Sequence, residues 1–448
     1  MAGACWHRVI AMRLRAGLIW TLALALPVPA SGAPACTVPA RPPITHGGPN
    51  DNAQTVYLLD PAKYPDALCN DGSPAGYIFR RGSGRGVRRW IVELQGGGGC
   101  ENNATCATRS ENLISTARLI SGVSPGGTLD GILSADRTVN PDFYDANAVR
   151  LLYCSSDFWT GDKRPTKVPF DRANASETWY FQGRAIAEAV LEDLAAKQLG
   201  NADEVLLTGD SAGGVGIILD ANDVLPLMPR AARTIVATDA GFTLDIGAFD
   251  PNSPATGYVS PSLPTPLETL IRQGHAFWGG RGDLPCSLQA HTAEARLLCY
   301  NTAIVISEFF VAQPVFTAEA LDDLAQLRDD RLPPGHPTRD TPAFGYATSF
   351  ALAMTAALRQ VGSHNSVYAP YEFIHEMFIG NSGNGEAFDT PHIFPPRRQV
   401  TPQHAVGQWY LDPCAARKLV GTRLENKHSA VSRQLSAFRP KWPGGAPY

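Results

Sequence analysis

No excess of basic residues and no block of like charges marks this chain of 448 residues. Lys and Arg number 38 against 42 Asp and Glu, a formal net charge of −4. That balance argues against a nucleic-acid partner, because phosphate backbones call for a basic face. The missing charge runs leave no acidic or basic tail and no membrane-surface patch. Beyond Leu26 no apolar stretch approaches the roughly 20 residues needed to span a bilayer, so no stable membrane insertion is expected. Internal repeats and low-complexity linkers are also missing. What remains, at 44% hydrophobic and 18% charged residues, is a globular composition with ample length for a large core.

The N-terminus is informative. Arg13 and Arg15 precede the apolar run Ala16 to Leu26, and small residues follow in PVPASGAPAC. A basic segment, a short apolar segment and a small-residue exit form a secretory signal peptide, here residues 1–33, and the run is too short for a membrane anchor. A secreted or periplasmic protein is expected. Cys5 would leave with the signal, and an even set remains: Cys36, Cys69, Cys100, Cys106, Cys154, Cys286, Cys299 and Cys414. In an exported protein such a set reads as disulfides, although eight cysteines allow about 105 pairings. Cys100 with Cys106 and Cys286 with Cys299 would close short loops. Lipidation at Cys36 fits poorly after Pro34 and would leave an odd thiol.

Residues 34–448 read as a single α/β domain whose N-terminal stretch, Pro39 to Asn52, is an extended arm rich in Pro and Gly. Short apolar runs at RRWIVELQG (Arg88 to Gly96) and AVRLLYCSS (Ala148 to Ser156) predict strands. Ile186, Val190, Leu191 and Leu194 recur at helical spacing between Gly183 and Gly200. EVLLTGD predicts a buried strand, Ser211 onward a helix, and RTIVATDAGF another buried strand. This alternation implies a mostly parallel sheet covered on both faces. From Thr243 to Pro285, density in Pro, Gly and Ser predicts excursions over the sheet. PVFTAEALD (Pro314 to Asp322) resumes the strand pattern, and Thr341-Pro342 opens a helix through about Arg359.

The chemistry centres on LLTGDSAGG. Gly209 to Gly213 fits G-x-S-x-G between a strand and a helix, the setting in which a strained turn lifts a serine hydroxyl to the carboxyl end of a sheet. The Ala212 amide would then donate to a developing oxyanion at the helix N-terminus. The alternative is a glycine-rich turn whose serine caps the helix. ELQGGGGC supplies a second donor candidate: Gly96 to Gly99 follow a strand and can turn several amides toward one point. A phosphate cradle would call for a following Lys, where Cys100 stands instead.

A base should follow later in the chain, from His336, His364, His375, His392, His404 and His428. His375 sits in the apolar context YEFIHEMF. His392 reads as an open-loop residue after a proline, and His404 as the surface of a helix. A zinc-protease reading of His375-Glu376 fails, since position 379 is Ile. The acid should close a late strand, where Asp322 and Asp323 are both placed to serve. Asp329 and Asp330 read as a solvated helix end. Arg281-Gly282-Asp283 reads as a charged turn rather than an adhesion signal. Asn103 and Asn174 head glycosylation triplets.

With these pieces in hand, the chain resembles the pectin acetylesterase and Notum family. ALCNDGSPAGYIF, ELQGGGGC, YCSSDFWTGD, LLTGDSAGG, PVF…LDDLAQL, FIHEM and AVGQWYLDP stand in that family's order and cover most of the mature chain. The resemblance implies an α/β-hydrolase fold and a carboxylic-ester hydrolase with no metal or organic cofactor. It places the nucleophile at Ser211, the acid at Asp323, the base at His375, and the oxyanion hole at the amides of Gly97, Gly98 and Ala212. It also suggests the pairs Cys69–Cys154 and Cys100–Cys106. Family members often carry an aromatic residue late in the glycine motif, where Gly98 and Gly99 stand here, which implies a roomier site. Phe158 and Trp159 are substrate-binding candidates on a pocket wall or rim, with plain core packing as the alternative. The expected substrate is an acetylated polysaccharide, or alternatively a long-chain acyl ester, acted on by a monomer. A non-catalytic polysaccharide-binding protein on the same scaffold is the rival of another class.

Overall fold

The computed structural model describes residues 54–116, 129–172, 175–230, 232–260, 265–310, 314–379 and 385–421. The signal peptide, the extended arm, Cys36, Asn174 and His428 lie outside these residues.

The strands in chain order are β1 (Gln54–Leu58), β2 (Gly76–Arg80), β3 (Arg89–Leu94), β4 (Asn147–Leu151), β5 (Lys163–Arg172), β6 (Ala175–Phe181) and β7 (Glu204–Gly209). They continue as β8 (Arg233–Asp239), β9 (Val315–Ala318), β10 (Ser366–Ala369), β11 (His392–Phe394), β12 (Arg398–Val400) and β13 (Lys418–Val420). Nine of them form one sheet in the order β1-β2-β4-β3-β7-β8-β9-β10-β13, and β5–β6 and β11–β12 make separate two-stranded sheets. From β4 to β13 all neighbours are parallel, and only β1 and β2 join antiparallel at one edge.

The continuous apolar runs of the central strands follow from burial on both faces. Successive side chains alternate between two cores: Trp90, Val92, Leu94, Val205, Leu207 and Val236 enter one, and Ile91, Leu206, Ile235 and Ala237 the other. The helices Gly183–Ala196, Ala212–Val224 and Pro342–Gln360 cover the first face, and Pro402–Leu411 the second. Thr341 caps its helix as predicted, accepting from the Phe344 N–H.

The segment after β8 differs from expectation. It holds the helix Pro266–Trp278, capped by Thr265 and closed by Gly279 at φ 63°. Its Thr-Pro start is the signal that opens the helix at Thr341, and here the surrounding Pro and Gly masked it. Arg281-Gly282-Asp283 is a helix entry: buried Asp283 accepts from the Cys286 N–H and from Asn222. Asp330 also departs from its solvated reading, because it is buried and accepts from the Tyr346 hydroxyl at 2.7 Å. Disulfides join Cys69–Cys154, Cys100–Cys106 and Cys286–Cys299, and Cys414 is disulfide-bonded as well.

Candidate active site

β7 runs buried to Gly209, and the chain reverses through Asp210 and Ser211 into the helix Ala212–Val224. Ser211 sits at φ 52°, ψ −120°, a conformation that side chains avoid and that costs of order 1–3 kcal/mol. The small neighbours have a steric cause. A Cβ on Gly213 would stand 1.8 Å from the Leu94 carbonyl oxygen, so the helix start lies directly against the end of β3. Two backbone bonds fix the turn: Ser211 N–H donates to the Asp239 carbonyl at 2.9 Å, and Gly213 N–H to Asp210 at 2.7 Å.

His375 lies on the loop after β10 and places Nε2 2.8 Å from Ser211 Oγ. Its Nδ1 lies 2.7 Å from Asp323 Oδ2. Asp323 is wholly buried and accepts at its other oxygen from the Gln326 N–H at 2.7 Å, capping the helix Leu324–Asp329. A carboxylate can only accept, so in the neutral imidazole Nδ1 keeps the proton and Nε2, once it has shed its own, accepts from the serine. Asp322, the other candidate acid, does not make this bond. Burial opposes a charged His375, but the charge and hydrogen bond of Asp323 outweigh it and push the imidazole up to about 9. Behind the acid, burial and the Asp323 charge raise the Glu319 carboxyl well above its ordinary range. Glu319 accepts from Phe242 N–H and from Gln326 Nε2.

One residue that sequence reasoning missed ties these parts together. Asp239, at the end of β8, accepts the N–H groups of Met377 at 2.7 Å and Phe378 at 2.6 Å through one carboxylate oxygen. Its carbonyl meanwhile holds the serine turn. Another is Asp210, whose Oδ2 accepts from Gly96 N–H at 3.2 Å and links the serine turn to the glycine loop.

That loop leaves β3 with Gly97 at φ 138° and Gly98 at φ 63°, conformations available to glycine. Among the described residues no group accepts from the amides of Gly97, Gly98 or Ala212. Arg109 grips the loop from outside: Nη1 donates to the Gly97 carbonyl at 2.7 Å and Nε to Ser156 Oγ at 3.0 Å. A Cβ on Gly98 would meet only the Arg109 guanidinium, at 3.7 Å, whereas one on Gly99 would enter the Phe158 ring. The roomier site therefore opens at Gly98, and at Gly99 Phe158 fills the space.

Of the two aromatic candidates, Phe158 is partly exposed and packs on Trp278 at 5.7 Å. Trp159 is a correction: it is completely buried, packs tilted against Tyr153 and donates to the Gln95 carbonyl, so it builds core and offers a ligand no surface. His392 is another. It is buried in β11 between the Tyr368 hydroxyl at 2.7 Å and Glu386 at 3.0 Å, not in an open loop. His404 is exposed on its helix, and His364 bonds the Phe310 carbonyl. Among the described residues no three His, Cys, Asp or Glu side chains gather as a metal site requires, and no helix is long and apolar enough to cross a membrane.

Residues 49–427 match the pectinacetylesterase family. Pectin acetylesterase 11 of Arabidopsis thaliana is 33% identical over 190 residues, 42% of this chain and 46% of its own length. Pectin acetylesterase 7 of the same plant is 32% identical over 277 residues, 62% and 64%. The palmitoleoyl-protein carboxylesterase notum1a of Danio rerio is 30% identical over 320 residues, 70% and 59%. The chain thus spans about half to two thirds of the length of these relatives. The Wnt deacylase Notum from Drosophila superposes with a TM-score of 0.67 at 24% identity, over 83% of this chain and 97% of that one, a likeness of fold.

Proposed function

The chain belongs to the pectinacetylesterase family, and from that premise we propose that it is an exported serine carboxylic-ester hydrolase with the α/β-hydrolase fold. The observation that carries this reading is the unbroken chain of hydrogen bonds from Ser211 Oγ through His375 to Asp323, at a strained turn beside a glycine loop. His375 takes the serine proton as Oγ attacks the ester carbonyl. The oxyanion of the tetrahedral intermediate is received by the amides of Gly97, Gly98 and Ala212. His375 then protonates the departing alcohol, and water repeats the steps on the acyl-enzyme. Asp323 holds the imidazole and stabilises its charged form. Nothing in these steps calls for a cofactor.

The preferred substrate is an acetyl ester on a polysaccharide, in keeping with the pectin acetylesterases among the relatives. A second reading, removal of a long acyl chain, has its own support: the notum1a match covers more of this chain than either plant match, and Phe158, backed by the buried Trp278, leaves a partly exposed aromatic ring beside the glycine loop. The test is hydrolysis of p-nitrophenyl esters from acetyl to palmitoyl, wild type beside Ser211→Ala, followed by acetate release from acetylated pectin. Short-chain activity lost in the mutant supports deacetylation, and a long-chain optimum supports the second reading. No Ser211-dependent hydrolysis at any length overturns both and favours a binding protein on this scaffold.

A further inference from the structure

The glycine loop poses a problem of its own. Four residues without side chains hold many conformations, yet an oxyanion hole works only if its dipoles are fixed before the charge arrives. Something outside the loop has to fix it. Gly96 is held through Asp210, and Gly99 by the Phe158 ring. Leu113 and Tyr153 pack beside Gly97, but among the described residues the side chain that hydrogen-bonds the two middle residues is Arg109, whose guanidinium bonds the Gly97 carbonyl at 2.7 Å and approaches the Gly98 carbonyl at 3.5 Å.

We propose that Arg109 is a positioning residue for the oxyanion hole, acting through the Gly97–Gly98 peptide. The inference rests on the esterase reading above. In a planar trans peptide the C=O and the following N–H point in opposite directions. Tying the Gly97 oxygen to Arg109 therefore sets the Gly98 N–H on the side away from the guanidinium. A charged donor on the carbonyl also polarises the peptide and strengthens its N–H as a donor.

Arg109 is itself anchored. Its N–H donates to the Cys106 carbonyl at 3.0 Å and its Nε to Ser156. Cys106 is bound to Cys100, directly after the loop, and the intervening helix Asn103–Ala107 is closed by a reciprocal cap between Asn102 and Thr105. The ring after the glycines thus serves to carry an arginine back onto them. Backbone carbonyls at two adjacent residues suit the planar fork of a guanidinium better than the point charge of an ammonium.

The experiment compares wild type, Arg109→Met, Arg109→Lys, Arg109→Ala and Ser211→Ala on p-nitrophenyl acetate. It also measures inhibition by a trifluoromethyl ketone, which forms the same anionic tetrahedral adduct with the serine. Arg109→Met should lower kcat on the order of 10²-fold with KM within about threefold, and Arg109→Lys should fall between it and wild type. Affinity for the ketone should fall by the same factor as kcat/KM. Added ethylguanidinium should restore part of the lost rate in Arg109→Ala. A purely structural arginine would instead lower the melting temperature and the active fraction, leaving kcat per active site and ketone affinity unchanged. Either that pattern or an Arg109→Met kcat within threefold of wild type overturns the proposal. If wild type shows no hydrolysis beyond Ser211→Ala, the esterase reading fails and takes the proposal with it. Ser211-dependent activity with indifferent Arg109 variants sinks the proposal alone.

Discussion

Replacing Asp323 by Asn changes one atom and should remove almost all activity. The carboxylate accepts at both oxygens, from Gln326 N–H and from His375 Nδ1, each at 2.7 Å. Asn offers one acceptor and one donor, so one of these bonds must invert. If its oxygen stays with Gln326, its NH2 faces Nδ1, which must give up its proton, and Nε2 then carries the proton. A protonated Nε2 cannot accept from Ser211, and the base is lost. If the amide flips, His375 keeps its tautomer but the helix Leu324–Asp329 loses its cap, at about 1 kcal/mol. The charge is lost either way. The rise of His375 from 6.5 to about 9 corresponds to roughly 3 kcal/mol of preference for imidazolium, which is also the form present as the transition state is reached. Together these predict a loss of about 10³–10⁴ in kcat/KM, with stability lowered only by about 1–3 kcal/mol. Steady-state kinetics across pH 5–10 reads both effects. In wild type kcat/KM should climb with pH toward about 9, the direction in which Asp323 pushes His375. In the variant the residual activity should level off at lower pH, because the carboxylate that raised the imidazole is gone. Activity within tenfold of wild type, or a rising limb unmoved from pH 9, would refute the reasoning.

Other outcomes follow from the same geometry. The folded imidazole binds its proton more tightly than the unfolded one, so the stability it adds is complete below about pH 6.5 and fades as pH rises through about 9. Thermal melts should therefore show a larger deficit for Asp323→Asn at pH 6 than at pH 9.5. Ser211→Gly relieves the strain at φ 52° and should raise stability by about 1 kcal/mol while abolishing hydrolysis; a lower melting temperature than Ser211→Ala would count against a strained turn. Gly213→Ala drives a Cβ into the Leu94 carbonyl at 1.8 Å and should cost more than about 3 kcal/mol, seen as loss of soluble protein or a sharply lowered melt. Gly98→Phe sets its Cβ in ordinary contact with the Arg109 guanidinium, 3.7 Å away, at φ 63°, so it should fold at a cost of about 1–2 kcal/mol. Its signature is a roughly tenfold slower reaction with octanoyl than with acetyl ester, relative to wild type.

The parts of the site legible in the sequence are those where chemistry or sterics act on neighbouring residues. Gly213 is small because Leu94 touches it, and the strand and helix around Ser211 announce themselves by apolar spacing. The glycine loop reads for the same reason. Periodicity gave no access to contacts made across the fold. Asp239 reaches Met377 and Phe378 from 138 and 139 positions away, and nothing in VATDAGF marks it. Arg109 stands in a polar stretch with no strand or helix period to flag it. His392 looked exposed because a proline precedes it, whereas its burial is decided by Tyr368 on β10, a strand too short to read. Asp323 was separable from Asp322 only through the family resemblance. Both carboxylates are buried, and they look alike until the backbone aims Asp323 at His375.

Asp239 has a consequence for precision. The nucleophile's turn is fastened to its carbonyl and the base's loop to its carboxylate. In an assembly of many loops, small placement errors ordinarily accumulate from part to part. Here the two moving parts are gauged from a single reference mark on a buried strand, so a shift of that strand carries both together and leaves their spacing alone. Warming or breathing of the sheet should thus spare the serine–imidazole distance until Asp239 itself lets go. The enzyme should keep its full turnover number up to the point at which it stops.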